Sequence, residues 1–201
     1  GEGKGETIFY LTAKTITRTV AQEAFEVLRE KGMKYKVVTI TAKEKLCFMD
    51  ETKCDPVHCP YARGHFDRVN DAVYELWTTK SRYDRETIRE QAEKWQVCPF
   101  EMCLDLSVWV DAVICDYNYV FDPTVHLKRF FGEGAGGDYI FLIDEAHNLA
   151  ERGREMYSAS ICREDAVRVR KVMKERAPRL YRSLGKLDKQ LKELQVDCGN
   201  Y

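Results

Sequence analysis

The chain has 201 residues, of which 32 are Lys or Arg and 33 are Asp or Glu, so its formal net charge is −1. This balance excludes a globally basic nucleic-acid binder, and any such function must rest on local patches. No apolar run approaches the ~20 residues that cross a bilayer, and no secretory leader opens the chain. We therefore expect an intracellular, cytoplasmic protein with no membrane partner.

Four apolar runs rich in β-formers predict strands at residues 7–13, 36–41, 111–116 and 139–144. After the first run, a helical pattern opens at Thr15 or Thr17 and stops at Gly32. A strand, a helix and a strand in this order imply a parallel pair with a right-handed crossover. The fold class expected is therefore α/β with a parallel sheet.

The α/β pattern breaks between residues 43 and 103, where clustered cysteines and prolines replace the apolar runs. Helices are predicted at about 66–79 and 84–95, the second capped by Asp84, and a third should start at Pro99. Because strands resume afterwards, this segment is predicted to be an insertion between sheet strands.

The last part of the chain has a helical leucine repeat and an excess of basic residues. Between Arg163 and Glu193 there are eleven Lys or Arg against five Asp or Glu, which indicates a solvated helical face unless other features support a binding patch. The leucines recur at alternating steps of four and three, which predicts one long amphipathic helix. They are Leu180, Leu184, Leu187, Leu191 and Leu194.

The segment YIFLIDEAHNL, residues 139–149, runs from a strand into acidic residues and then a helix. At the carboxyl end of a parallel strand, Asp144 could hold a hydrated Mg²⁺ and Glu145 could orient an attacking water. The alternative is that Asp144 only caps the helix. The opening GEGKGET does not fit a phosphate loop, because Gly5 follows Lys4.

Eight cysteines without a secretion signal indicate reduced thiols rather than disulfides. The set Cys47, Cys54, Cys59 and Cys98 is a candidate for a zinc ion or an iron–sulfur cluster. Zinc is disfavoured because the sequence has no C-x-x-C pair. His58 could replace one thiolate, but its adjacency to Cys59 makes it sterically difficult for both residues to bind the same metal. Cys103 is a reserve ligand. The three others, Cys115, Cys162 and Cys198, are predicted to be buried small hydrophobes.

In this order the features resemble the XPD/DinG family of iron–sulfur superfamily-two DNA helicases. The matching segments are FYLTAKTITRT, KLCF…KC…HC…VCPFE, VICDYNYVFDP and FLIDEAHNL, which together span about residues 7–160. The resemblance implies a partial RecA-like motor domain one at residues 1–43 and 104–150 and an inserted helical iron–sulfur domain at 44–103. It also implies the start of a helical arch domain at 151–201.

The resemblance also implies roles for individual residues. The four cysteines of the candidate set match the ligands of a [4Fe–4S] cluster. Asp144 matches the Mg²⁺-holding acid, Glu145 the water-activating acid and His147 the residue that couples hydrolysis to movement. The residues that match DNA-contacting positions are Thr12, Lys14, Thr15, Lys43 and Lys45. The candidates for stacking on bases are Tyr117, Tyr119 and Phe121, of which at least one is expected to be buried.

The implied function is that of a fragment of an ATP-dependent 5′→3′ DNA helicase, with single-stranded DNA and ATP as partners. The phosphate loop and the second motor domain are absent from the sequence, so the isolated chain is expected to be inactive without the remaining helicase domains. The alternative is a non-enzymatic, metal-stapled module that binds nucleic acid or protein. A nuclease is disfavoured, because the sequence does not show the constellation of carboxylates and a lysine that such an enzyme requires.

Overall fold

The computed structural model describes residues 5–13 and 15–198. The chain divides into two compact units, Gly1–Met156 and Tyr157–Tyr201. The first unit contains all the described strands, and the second contains two helices. Within the described residues, no helix has both the length and the apolar character needed to cross a bilayer.

Five strands form one parallel sheet in the first unit. They are β1 Thr7–Leu11, β2 Val37–Thr39, β3 Arg82–Tyr83, β4 Ala112–Cys115 and β5 Tyr139–Ile143. Their order across the sheet is β3-β2-β4-β1-β5, and every neighbouring pair is parallel. The predicted α/β class and its four strands are confirmed. The strand β3 was not predicted, because two residues are too short to show alternation.

Ten α-helices are described, together with one 3₁₀ turn at Ala146–Asn148. The helices are α1 Thr15–Glu30, α2 Lys43–Leu46, α3 His65–Thr79, α4 Arg85–Trp95, α5 Pro99–Ser107, α6 Asn118–Phe121, α7 Lys128–Phe131, α8 Leu149–Met156, α9 Arg163–Arg176 and α10 Pro178–Cys198.

Local signals explain where the helices of the inserted segment begin and end. The Asp84 carboxylate accepts the Thr87 N–H at 3.0 Å and so caps α4, as predicted. At the other end Gln96 adopts a left-handed conformation, a common helix stop. Pro99 stands at the start of α5, where a missing N–H costs no hydrogen bond.

The central strands of the sheet are buried on both faces, whereas the middle of the edge strand β5 is exposed. Side chains alternate along β1, so Phe9 points to the larger core and Ile8 to the smaller one. Ala21 and Phe25 of α1 cover the smaller core. The larger core is covered by α3, α4 and α5 through side chains that are almost fully buried, including Leu76, Ile88 and Leu106.

The inserted segment therefore contributes to the core of the sheet. Its helices share a hydrophobic cluster with β1 and β4, and its residues Arg82–Tyr83 add a strand beside β2. The compact first unit extends to Met156, whereas the arch domain was expected to begin at residue 151. The division of residues 1–150 into motor and iron–sulfur domains stays a prediction.

The second unit is a pair of packed helices, α9 and α10. Arg163 at the start of α9 forms an ion pair with Asp188 at 2.7 Å, and the Arg170 guanidinium lies 4.7 Å from the centre of the Tyr181 ring. The predicted long helix is confirmed as α10. Of its repeated leucines, Leu180 and Leu194 are exposed, so only the middle of the repeat packs against α9.

Candidate functional site

The acidic turn, residues 144–148, follows β5 at the edge of the sheet. Asp144 is half-buried, and its N–H donates to the Leu11 carbonyl of β1 at 3.0 Å. Glu145 is exposed and has a positive φ of 50°, which is uncommon for a residue other than glycine. Its carbonyl accepts the Asn148 N–H at 2.9 Å, and the His147 ring nitrogen Nδ1 lies 3.3 Å from its carboxylate.

The position of Asp144 bears on the capping interpretation. No side chain among the described residues caps the 3₁₀ turn that follows, and Glu145 is the residue at its amino-terminal cap position. The acids are thus not used as helix caps. They stand at the carboxyl end of a parallel strand, which is where ligand sites of open α/β sheets are found.

The turn after β4 supports the acidic turn from the side. The hydroxyl of Tyr117 donates a hydrogen bond to the Asp144 carbonyl. Arg152 of α8 reaches the same β4 turn, lying 3.5 Å from the Asp116 carboxylate and 3.3 Å from the Asn118 side-chain oxygen. The ends of β4 and β5, the two strands that flank β1, are thereby linked by side chains.

The four candidate cysteines line one small cavity, which we call the cysteine cavity and whose volume is about 30 Å³. Cys59 is buried, Cys47 and Cys98 are partly buried, and Cys54 is exposed. All of these thiols are free. Burial raises the pKa of the Cys98 thiol. The structure thus collects side chains that are up to 51 positions apart in the sequence.

Hydrogen bonds from nitrogen reach the sulfur atoms of this cavity. The Met49 N–H donates to the Cys47 sulfur at 3.4 Å. The Lys43 ammonium is hydrogen-bonded to Cys54, and this contact raises the pKa of Lys43. His58 is engaged elsewhere, since its Nδ1 lies 2.8 Å from the Asp55 carboxylate. Among the described residues, no three His, Cys, Asp or Glu side chains are close enough to hold one metal ion.

A second cavity, the basic cleft, has a volume of about 640 Å³ and lies at the carboxyl edge of the sheet. Its wall includes Ala13, Ala42 and Asp116, which follow β1, β2 and β4. Its basic residues come from three helices and are Arg18, Lys43, Lys45, Lys128 and Arg129. Lys43 also lines the cysteine cavity, so the two cavities are adjacent.

Part of the positive charge in the basic cleft is already paired. Arg129 lies 2.5 Å from the Asp105 carboxylate and 3.5 Å from that of Glu101. By contrast, Arg18, Lys45 and Lys128 form no ion pair with any described residue. Cations of this kind can bind phosphate groups without reading a base sequence.

Comparisons with known proteins agree with this arrangement. The DEAD_2 family model matches residues 16–166, which is more than half of the chain. The chain belongs to the DEAD_2 family. The Fanconi anemia group J protein homolog of Gallus gallus is 31% identical to it over 104 residues, which are 51% of this chain and 8% of that protein.

Two solved structures have the same fold as this DEAD_2 chain. "Truncated XPD" has a TM-score of 0.54 at 18% identity and covers 96% of this chain, and "XPD_Helicase" has a TM-score of 0.54 at 17% identity and covers 94%. The chain spans 54% and 33% of these two structures, respectively. The resemblance to the XPD/DinG helicase family is confirmed, and the non-enzymatic alternative is not favoured.

Two predicted DNA contacts of the DEAD_2 chain are wrong in this structure because the side chains are buried. Tyr117 has no exposed surface, so its ring cannot stack on a base. Thr12 is 1% exposed, and its hydroxyl is hydrogen-bonded to that of Thr17. Lys14 and the side chain of Thr15 lie outside the described residues.

The remaining cysteines divide into two groups. Cys103 and Cys115 are fully buried, and burial raises the pKa of the Cys103 thiol to about 12. This fits a core residue and leaves Cys103 outside the cysteine cavity. Cys162 and Cys198 are exposed, so the prediction of burial is wrong for them. A pair of helices is too thin to enclose residues at its ends.

Sequence reasoning missed three cations of the basic cleft, Arg18, Lys128 and Arg129. Arg18 belongs to the first turn of α1, directly after β1. Because ligand sites form at the carboxyl ends of parallel strands, its position in the sequence could have indicated its place in the cleft. Lys128 begins α7, a four-residue helix without a periodic pattern. Only its position in the folded chain marks it as a member of the cleft.

Proposed function

We propose that this chain is part of an ATP-dependent DNA helicase of the XPD/DinG type, which moves 5′→3′ along single-stranded DNA. The observation that carries the proposal is the acidic turn at the end of β5. This turn is hydrogen-bonded to the turn after β4, which lines the basic cleft. The parent protein would supply the phosphate loop and the second motor domain. The isolated chain would not hydrolyse ATP, because those groups are needed together.

In the parent enzyme the acidic turn would serve ATP hydrolysis. When bound, Mg²⁺ would neutralise phosphate charge. Asp144 would hold the ion through its partly buried carboxylate, and the exposed Glu145 carboxylate would accept a proton from the attacking water. His147, next to Glu145, would transmit the state of the nucleotide to the rest of the motor.

The basic cleft would bind the phosphate backbone of single-stranded DNA. Lys43 and Lys45 were predicted for this role, and Arg18 and Lys128 are added because they line the same cleft without an ion-pair partner among the described residues. Binding of this kind depends on charge, so its affinity falls as salt is raised.

The DNA proposal is tested with the double variant Lys45→Glu/Lys128→Glu of this chain. Fluorescence anisotropy with a labelled single-stranded oligonucleotide should show at least tenfold weaker binding, and the slope of log K against log salt should fall by about 1.4, since about 0.7 is lost per phosphate contact on a single strand.

The matched control is Lys31→Glu/Lys34→Glu. These lysines are exposed and lie between α1 and β2, at the opposite edge of the sheet, so the change in net charge is the same. An equal loss of affinity in both double variants would show that only net charge matters and would refute the cleft as the DNA site.

We also propose that Cys47, Cys54, Cys59 and Cys98 bind a [4Fe–4S] cluster. Four free thiols face one cavity, and an N–H donor reaches one of the sulfurs, as is typical of cluster sites. In a cluster each cysteine binds its own iron, so the sulfurs lie farther apart than the ligands of one zinc ion.

Anaerobic purification tests the cluster proposal. The protein should be brown and contain about four irons and four acid-labile sulfides per chain, and Cys59→Ser or Cys98→Ser should remove most of both. The control Cys162→Ser changes an exposed thiol of the second unit and should retain the cluster. Colourless protein with one zinc per chain would instead support the zinc alternative.

A further inference from the structure

The backbone of the acidic turn has an unusual conformation that determines where its carboxylates point. Glu145 has a φ of 50°, whereas the only other described residue besides glycine with positive φ, Gln96, ends a helix. Residues with a Cβ avoid this region, and the surrounding structure must maintain it. At Glu145 the rotation about N–Cα contributes to the direction of the side chain, which is exposed.

Three hydrogen bonds hold the backbone around Glu145, and two of them act on the peptide groups that flank this residue. The Asp144 N–H donates to Leu11 at 3.0 Å, and the Asn148 N–H donates to the Glu145 carbonyl at 2.9 Å. The third bond is the one from the Tyr117 hydroxyl to the Asp144 carbonyl. That carbonyl belongs to the peptide linking Asp144 to Glu145, so the bond fixes the plane from which the Glu145 φ is measured.

Tyr117 is itself held firmly. Its side chain is fully buried, and its carbonyl accepts the N–H groups of Val120 at 3.0 Å and Phe121 at 2.9 Å. Its neighbours Asp116 and Asn118 line the basic cleft and contact Arg152. The phenol is thus an anchored donor in the turn that lies between the basic cleft and the acidic turn.

We propose that Tyr117 is a positioning residue that locks the Asp144–Glu145 peptide, and so keeps Glu145 directed toward the nucleotide. Without the hydroxyl, that peptide can rotate and Glu145 can relax to negative φ, which redirects its carboxylate. Because reaction rates depend steeply on the placement of a general base, a small displacement reduces turnover strongly. This role rests on the proposed ATP hydrolysis by the parent protein.

The test uses the full-length protein with Tyr117→Phe, which removes one oxygen atom. The kcat of DNA-stimulated ATP hydrolysis should fall about 10- to 100-fold, while the Kd for single-stranded DNA stays within twofold. Hydrogen–deuterium exchange, which does not depend on activity, should accelerate in residues 144–148 and remain unchanged in α4.

The matched control is Tyr83→Phe. Tyr83 is also fully buried, and its hydroxyl donates to the Lys80 carbonyl at 2.6 Å, but it lies in β3 at the far edge of the sheet. A similar loss of thermal stability in both variants, with the loss of kcat confined to Tyr117→Phe, supports positioning. A Tyr117→Phe protein with normal kcat and exchange overturns it, and so does one that fails to fold.

Failure of the proposed function has a separate signature. The variant Glu145→Gln removes the proposed base and should abolish hydrolysis in the full-length protein. If the unmodified protein does not hydrolyse ATP, or if Glu145→Gln hydrolyses it normally, the helicase proposal fails whatever Tyr117→Phe does. If Glu145→Gln is inactive and Tyr117→Phe is fully active, only the positioning role is refuted.

Discussion

Glu75 shows how one surface residue joins two helices of the inserted segment. From α3, its carboxylate accepts hydrogen bonds from three side chains of α4: Gln91 at 2.9 Å, Lys94 at 2.5 Å and Trp95 at 2.6 Å. These bonds, first of all the one from Lys94, lower the pKa of Glu75 to about 2. The ionised form is thus favoured in the folded protein relative to the unfolded chain, whose pKa is near 4.5.

This difference predicts a pH-dependent effect of Glu75→Gln. A lowered pKa stabilises the fold above pH 4.5, and the contribution is lost as the pH falls from about 4.5 to about 2. The free energy of unfolding, measured by urea titration, should therefore be larger for wild type than for Glu75→Gln near pH 6. This difference should become smaller as the pH is lowered.

The control for this experiment is Glu90→Gln. Glu90 is in α4, and its carboxylate lies 3.6 Å from Lys80 in an exposed pair, which should contribute little. A difference between wild type and Glu75→Gln that stays constant between pH 6 and pH 3 would contradict the assigned hydrogen bonds.

At the scale of elements, long patterns were predictable and short ones were not. The helices predicted at 66–79 and 84–95 correspond to α3 and α4, and their boundaries agree within about one residue. The two-residue strand β3 and the four-residue helices α2, α6 and α7 escaped prediction. Their few residues carry no periodicity, and their formation depends on the neighbours they meet in the fold.

Asp84 offers a test of the local signal that starts α4. Its carboxylate accepts the Thr87 N–H and lies 3.1 Å from the Arg82 guanidinium. Asp84→Ala should reduce the free energy of unfolding by about 1 kcal/mol, since it leaves an N–H at the helix start without a partner. Urea titration of the far-ultraviolet circular dichroism measures this change.

The comparison variant Asp84→Asn keeps an oxygen acceptor and removes only the charge. It should therefore lose less stability than Asp84→Ala. If both substitutions cost the same, the ion pair with Arg82 rather than the cap would account for the effect of Asp84.

At the scale of the whole molecule, the division into two units has a proteolytic consequence. Residues 157–162 form no regular structure, and Tyr157 is 73% exposed. Limited chymotrypsin should first cut after Tyr157, because a protease needs an extended segment of several residues. Mass spectrometry should find a fragment of residues 1–157 that retains a cooperative thermal transition.

An internal control for this cleavage is Tyr74. It is almost as exposed, at 69%, but it lies within α3. Exposure alone would make the two sites equally sensitive, whereas the regular structure of α3 protects Tyr74. Early cleavage after Tyr74 would contradict the division into units, since it would show that α3 opens before the segment between them.

The sequence by itself determined the elements and the chemistry they can carry. Apolar alternation identified the main strands, and the run into Asp144 and Glu145 identified the acidic turn, since both are properties of consecutive residues. The cysteine spacing, together with these acids, indicated the helicase family that the DEAD_2 match confirms.

Only the tertiary structure decided which side chains are buried and which distant residues meet. Tyr117, predicted as a base-stacking residue, is an internal hydrogen-bond donor, and Cys162 is exposed although burial was expected. Arg18 and Lys128 join one cleft from separate helices. The physical reason is that burial and proximity depend on every element packed around a residue, whereas a sequence pattern reports only its neighbours along the chain.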